Sequence, residues 1–345
     1  MRKKSEIANW YAGKRVLVTG AGGFVGSNIA NELYLNGARV WVVVRDIDPV
    51  APYHSWWTWP GRIESTLNGD LTDYNFVERA IAESEPEVVF HLAAMSQVKH
   101  ARIAPRQAFR NNILGTVNIL EGVRLLAPEA GVVVASSDKA FGEPLETPIT
   151  NKTPFNPVHP YDASKAAGDI VAQCYGRYYG VKVGITRCGN IYGPGDVNWQ
   201  RLIPGVLRDL IMRRQPIIRS DGKSERDYNY IGDIVDAYFR VGIGMLQPLF
   251  FGPRIFNPGQ TWLIATGNSH SVLDILGLCR LAVPWGIEIE PVIQNTAVDE
   301  TPALFLDGRE FDKDFGRYQH MKIGPGLDAT AEWLMEYLPK GDCCD

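Results

Sequence analysis

The stretch "VLVTGAGGFVGSNIA", residues 16–30, decides the reading of the fold. Its first residues are a short branched apolar run of the kind that is buried on both faces of a sheet. From Ile29 and Leu33 onward, apolar residues recur at helical spacing until Gly37. Between strand and helix stand Gly20, Gly23 and Gly26, each three residues from the next. Glycines at such a junction permit a tight turn and let the backbone approach a pyrophosphate, whose charge then meets the helix N-terminus. A turn that is merely tight would use the same residues. Its place between a buried strand and an amphipathic helix favours a dinucleotide site, in which Phe24 and Val25 complete the turn.

Similar strands recur along the first half: "ARVWVVVR" from Ala38, "EVVFHLAA" from Glu87, "GVVVASS" from Gly131 and "VKVGITR" from Val181. Helical spacing separates them, as in Ile113, Val117, Leu120 and Leu125 before Pro128. Near-continuous Val/Ile runs joined by helices predict an α/β chain with a Rossmann-type doubly wound parallel sheet. After about Asn190 the pattern loosens. A helix near Ile203 to Met212 and short strands around Ile217, Ile255 and Ile289 predict a smaller mixed α/β C-terminal substrate lobe. The expected division is a dinucleotide-binding domain over 10–190, with segments returning near 229–262, and a substrate-binding lobe over 191–228 and 263–340.

Composition narrows the function classes. The chain of 345 residues is 45% hydrophobic and 21% charged, as ordinary globular proteins are. A net charge of −4 argues against nucleic acid or an anionic membrane as partner, and leaves room for a local basic pocket that takes a phosphorylated small molecule. The five cysteines show no metal-ligand spacing and include the adjacent pair Cys343 and Cys344, so neither a metal site nor a disulfide framework is expected. The start "MRKKSEIANWYAGKR" lacks an apolar run, and no segment reaches the roughly 18 apolar residues of a membrane span. These features read as a soluble cytoplasmic protein. The run "HSWWTWPG", residues 54–61, reads as aromatic packing or a subunit contact rather than a base-stacking platform.

Two positions bear on the dinucleotide. The second strand ends in Val44, Arg45 and Asp46, where an acidic residue would hold the adenosine ribose and an arginine a 2′-phosphate. NAD and NADP both remain open, with Arg45 tilting the expectation to NADP. In "NGDLTD", Asp70, followed by Leu71, could accept from the adenine amino group or simply cap a turn.

The reactive groups come later. "HPYDASKAAGDIVAQ" places Tyr161 and Lys165 four apart at a helix start, hence on one face. An ammonium near a phenol favours the phenolate and brings it toward the range of a general base. Ser137, after a buried strand, could bond the same substrate oxygen. With the glycine turn, these residues resemble the extended short-chain dehydrogenase/reductase family, in its nucleotide-sugar epimerase/dehydratase branch, from about Trp10 to Tyr337. "TGAGGFVG" resembles that family's glycine turn, and "HLAA" its cofactor contact through Leu92, Ala93 and Ala94. "NNILGT", with Asn112, resembles the helix that follows, and "YDASK" the reactive pair. "TRCGNIYGPGD" and "GKSERDYNYIGD" resemble signatures that handle a nucleotide diphosphate. The resemblance implies that Asn190 and Arg226 contact the substrate pyrophosphate or nucleotide and that Arg201 and Leu202 of "RLIP" shape its pocket. It also implies a homodimer packed through helices near Asn112 to Leu126 and Tyr161 to Tyr178. An ion pair with a nearby aspartate would be the plain alternative for Arg226.

In that family Tyr161 would take the proton of the sugar C4 hydroxyl while hydride passes to the nicotinamide. Epimerases return the hydride to the opposite face. Dehydratases remove the C5 proton, protonate the departing C6 hydroxyl and return hydride to C6. The dTDP-glucose dehydratases place Asp-Glu after the hydroxyl residue, whereas this chain has Asp138 and Lys139. Ser-Asp-Lys resembles the CDP-glucose 4,6-dehydratases, which also share a start like Trp10 to Val16. Asp138 then reads as the acid. Lys139 reads as the C5 base, for which it must be neutral, or as a charge beside the enolate, with Glu143 or water taking the proton. A solvated ion pair is the plain alternative for Asp138 and Lys139. The expectation is a 4,6-dehydratase; a 4-epimerase is the second reading, and a non-catalytic NAD(P)-binding regulator the third.

Overall fold

The computed structural model describes residues 4–46, 63–144, 146–296, 302–316 and 320–338. The Trp-rich run 54–61 and the cysteine pair 343–344 lie outside these residues. Ten strands run in chain order to the end of the main sheet. They are β1 Arg15–Thr19, β2 Arg39–Val44, β3 Ser65–Asn68, β4 Val88–His91, β5 Gly131–Ala135, β6 Val183–Cys188, β7 Asn190–Tyr192, β8 Ile217–Ile218, β9 Glu225–Tyr230 and β10 Gln260–Ile264. Seven of them form a sheet of order β10-β6-β5-β4-β1-β2-β3, in which every pairing is parallel. The expected doubly wound parallel α/β fold is what forms.

The side-chain period of two explains why both faces of this sheet are covered. In β1, Val16 and Val18 enter one apolar cluster, with Ile29, Leu33, Phe239 and Trp262. Leu17 enters the other, with Val77, Ile81, Ile119 and Val183. Helices Phe24–Leu35 and Ile231–Leu246 supply the first layer, and helices Tyr74–Ser84, Gly115–Leu126 and Pro160–Tyr179 the second. Between β1 and β4 the strand order reverses, and there the connections leave in opposite directions and open a crevice at the carboxyl edge.

A second, smaller sheet holds β9 between β11 Ser269–Ser271 and β13 Ala303–Leu304, with β7 also pairing β9; β12 Val292–Ile293 pairs β8 separately. Helices Leu202–Ile211, Val272–Ala282 and Ile323–Tyr337 pack around Leu207, Leu210, Ile275, Leu327 and Leu334. The strand expected around Ile255 does not exist. That residue is exposed in a segment broken by Gly252, Pro253 and Pro258, and pairing resumes only at Gln260. Ile289, likewise expected in a strand, ends a short 3-10 turn before β12.

Arg187 of β6 ties the sheet to helix Pro160–Tyr179. Its Nε and Nη2 each donate to the Asp169 carboxylate at 2.9 Å, Nη1 donates to Asn151 Oδ1 at 3.2 Å, and the guanidinium lies 5.2 and 4.9 Å from the Phe141 and Phe155 rings. Both charges are buried. Removing one partner of such a pair leaves an uncompensated charge, which costs about 3–5 kcal/mol. Arg187→Met is therefore expected to lower the unfolding free energy read from urea denaturation by that order, and Arg187→Met with Asp169→Leu to recover most of the loss.

Candidate active site

The first wall is the glycine turn. A Cβ at Gly26 would lie 2.2 Å from the Gly20 carbonyl oxygen, and Gly20 itself has φ 73° with its Cβ position 2.7 Å from the Ala93 nitrogen. Only glycine lets helix Phe24–Leu35 start this close to β1 and lets β1 lie against the segment after β4. Gly23 caps that helix with no side-chain hydrogen bond, so its first N–H groups are left to other partners.

The second wall follows β5. Ser137 is extended and opens a short 3-10 turn, Asp138–Phe141. Its Oγ accepts from Lys139 N at 3.1 Å and donates to Asp138 Oδ1 at 2.9 Å. Asp138 is only 5% exposed. Tyr161 and Lys165 sit in the first turns of helix Pro160–Tyr179, whose Pro160 presets the entry. Lys165 Nζ donates to the Ala135 carbonyl at 2.6 Å, which anchors it to the end of β5. Burial lowers Lys165 to about 8, against smaller opposing effects of Asp169 and Cys188. Burial also raises Tyr161 to about 12, helped by the Asp138 charge and opposed by its hydrogen bond with Ser137 and by Arg201. The expectation that Lys165 brings this phenol toward neutrality is thus not met among the protein groups. The ammonium is committed to a backbone carbonyl, and desolvation dominates.

One cavity of about 580 Å³ is lined by residues from three parts of the chain. The first part is Gly20, Gly23, Phe24, Val25 and Gly26, with Leu92 and Ala94. The second is Ser137, Asp138, Lys139, Tyr161 and Lys165, and the third is Asn190, Arg201 and Leu202. A neighbouring cavity of about 370 Å³ takes Arg45, Asp46, Asp70, Leu71 and Ala93, and shares Gly20, Gly23 and Ala94 with the first. The glycine turn thus borders both.

Several expected residues have other partners. Asn112 lines neither cavity. It sits in a π-helical turn, Arg110–Leu114, accepts from Met95 N at 2.7 Å and donates to Ser164 Oγ at 2.8 Å, clamping the segment after β4 to the helix of Tyr161. Arg226 also lines neither, and its Nη1 donates to the Glu225 carbonyl at 2.7 Å. Arg201 donates to Asp196 at 3.1 Å, Asn190 to the Asp227 carbonyl at 3.3 Å, and Arg45 to Asp46 at 2.7 Å. Asp70 accepts from Thr72 N at 2.8 Å, a turn cap on the cavity wall. Glu143 is exposed and outside both linings.

Sequence reasoning missed three acidic or amide groups. Asp162 is buried beside Tyr161; burial raises its pKa, and Lys139 and His159 act against that rise. On β9, Asp227 and Asn229 are buried on the face opposite Arg226 and Tyr228, a pattern the alternation in "RDYNY" already contains. Asp227 accepts from Thr266 N at 3.0 Å and Thr266 Oγ1 at 2.5 Å. Among the described residues no group of three or more His, Cys, Asp or Glu is gathered as a metal ion requires, and no helix is long and apolar enough to cross a membrane.

The NAD dependent epimerase/dehydratase family model matches residues 16–242. A dTDP-glucose 4,6-dehydratase of Mycobacterium tuberculosis is 32% identical over 336 residues, covering 93% of each chain. A UDP-glucose 4-epimerase of Mycolicibacterium smegmatis is 29% identical over 332 residues, covering 93% of this chain and 98% of its own. Among solved structures, the dTDP-glucose 4,6-dehydratase of Streptomyces venezuelae, with NAD bound, superposes with a TM-score of 0.78 at 25% identity, over 93% of this chain and 97% of that one.

Burial raises the Asp227 carboxyl from 3.8 to about 6, and the charge of Asp138 adds to the rise while Thr266 opposes it. Between these values the folded protein binds this proton and the unfolded chain does not. The stabilisation is full below 3.8 and is lost as pH rises through about 6. In Asp227→Asn that loss is absent. The denaturant midpoint above the window, taken relative to that below it, should therefore be higher in the variant than in the wild type.

Proposed function

The chain belongs to the NAD dependent epimerase/dehydratase family, and from that premise we propose that this NAD-dependent nucleotide-sugar enzyme is an NDP-hexose 4,6-dehydratase. The observation that carries the reading is the buried Asp138 carboxyl, bonded to Ser137 at 2.9 Å in the same cavity as Tyr161. Inverting C4 has no use for an acid there. Eliminating water from C6 does.

The glycine turn suits a dinucleotide, because the uncapped N-terminus behind Gly23 borders both cavities and offers N–H groups to a pyrophosphate. Bound NAD supplies the hydride acceptor and donor of the cycle. NAD is preferred over the NADP that Arg45 suggested, since Arg45 already pairs with Asp46, and the Asp46 carboxylate, which lines the second cavity, would suit ribose hydroxyls. Tyr161 takes the C4 hydroxyl proton, Lys165 holds its helix turn to β5, and Ser137 steadies the oxygen. Asp138 gives its proton to the C6 hydroxyl. We assign the C5 proton to Lys139, which lines the cavity, rather than to Glu143, which does not.

Ser137-Asp138-Lys139 puts CDP-glucose first among candidate substrates, although the relatives above are named for UDP-glucose and dTDP-glucose. Exposed Leu125, Ile170 and Tyr178 support the homodimer through helices Gly115–Leu126 and Pro160–Tyr179. The buried free thiols of Cys188 and Cys279 support a cytoplasmic setting. Ile170→Glu is expected to give a monomer by light scattering.

Incubation with CDP-, UDP- and dTDP-glucose and mass spectrometry tests the reaction. Loss of one water from one of the sugars is expected; an unchanged mass with inverted C4 would replace dehydration by epimerisation. Tyr161→Phe should abolish turnover altogether, and Lys139→Met should oxidise C4 and stop before elimination.

A further inference from the structure

β6 ends at Cys188 and β7 begins at Asn190, so the chain passes from the large sheet to the small one through a single residue, Gly189. Gly189 is absent from the glycines of positive φ, so its backbone would accept any residue. Glycine here provides space. The three atoms nearest to where a Cβ would stand are Asn229 Nδ2 at 3.6 Å, the Asp227 carbonyl oxygen at 3.6 Å and Asp138 Oδ2 at 3.9 Å. All three are polar, and they border the gap left where a side chain would stand.

Asn229 makes this gap unusual. Its side chain is 1% exposed, and neither Oδ1 nor Nδ2 has a hydrogen-bond partner in the protein. A buried amide left unpaired has given up its hydrogen bonds to water without replacing them, so it calls for an occupant. The Asp227 carbonyl, which accepts from Asn190 Nδ2 at 3.3 Å, borders the same gap. A water in the gap would accept from Asn229, donate to the Asp227 carbonyl, and accept from Asp138 while that carboxyl holds its proton or donate to it once the proton is given away. Gly189 and Asp138 both line the large cavity, so the gap communicates with it.

We propose that the gap over Gly189 is the receiving site for the water eliminated from the sugar, and that Asn229 is a positioning residue for it. The inference rests on the dehydratase reading above. In the elimination the C5–H bond breaks, its proton passes to Lys139, and its electron pair becomes the C5–C6 π bond. The C6–O bond breaks with its pair going to oxygen, which takes the proton of Asp138. The water so formed lies against Asp138, within one step of the Asn229 amide. Held there, it is removed from C6 and cannot add back. The same site lets Asp138 regain a proton through a water chain rather than from bulk solvent.

Gly189→Ala tests this directly, because its methyl would meet only ordinary contacts at 3.6–3.9 Å and no strained backbone. The variant should keep its thermal midpoint and its single-turnover C4 oxidation, read by reduced-nicotinamide absorbance. Loss of water, read by mass spectrometry, should slow about ten-fold or more. Asn229→Leu, similar in volume, should act in the same direction. High-resolution crystals of the wild type without sugar should show a water bonded to Asn229 and Asp138, and crystals of Gly189→Ala should not. Elimination at the wild-type rate in both variants, or a dry gap in the wild type, overturns the proposal. A wild type that dehydrates none of the sugars refutes the dehydratase reading and with it the receiving role, while the crystals still report whether the gap holds a water.

Discussion

A methyl group at position 26 would press into the carbonyl oxygen of Gly20, and the rest of the site depends on the absence of that methyl. Because the helix can begin directly against β1, its N-terminus faces the crevice where the strand order reverses, and its unpaired N–H groups become a wall of the cavity. The apolar packing of Val16 and Val18 beneath this turn makes its position rigid. Binding geometry is thus inherited from core packing.

The reacting groups are held by a different logic, that of polar side chains taken out of water. Lys165, Tyr161 and Asp138 are each secured by a short bond or a neighbouring charge: Lys165 to the Ala135 carbonyl, Asp138 to Ser137, and Tyr161 between Ser137 and Arg201. Desolvation pushes the lysine down and the phenol up. The protein groups therefore do not by themselves prepare a phenolate. They prepare a dry, pre-bonded arrangement in which a positive charge brought by a dinucleotide has a large effect, since electrostatic interactions strengthen where water is excluded.

Gly189 links these two regions. It is the single residue between the sheets, and it leaves Asp138, in the turn after β5, close to Asn229 and Asp227 of the small one. Ser137, Tyr161 and Lys165 come from the end of the first sheet and its helix, while the surroundings of Asp138 come partly from the second. One residue between β6 and β7 brings the two contributions within a few ångströms of each other.

The parallel sheet, its glycine turn and the residues Ser137, Asp138, Tyr161 and Lys165 were legible in the chain, because their signals are local: strand runs, glycine spacing and a four-residue helical step. Arg226 and Asn112 carried equally clear motifs, yet their partners are the Glu225 carbonyl and the pair Met95 and Ser164, which no spacing reveals. Asp227 and Asn229 alternate visibly in "RDYNY", but alternation tells only that they share a face. That the face meets Asp138 depends on β7 pairing with β9 and on a glycine whose backbone did not require it. The sequence by itself determined the fold class and the placing of Tyr161 and Lys165 on one helix face, since these follow from short-range periodicity and backbone sterics. Only the tertiary structure decided which polar groups are desolvated together, because burial and mutual charge depend on contacts between segments far apart in the chain.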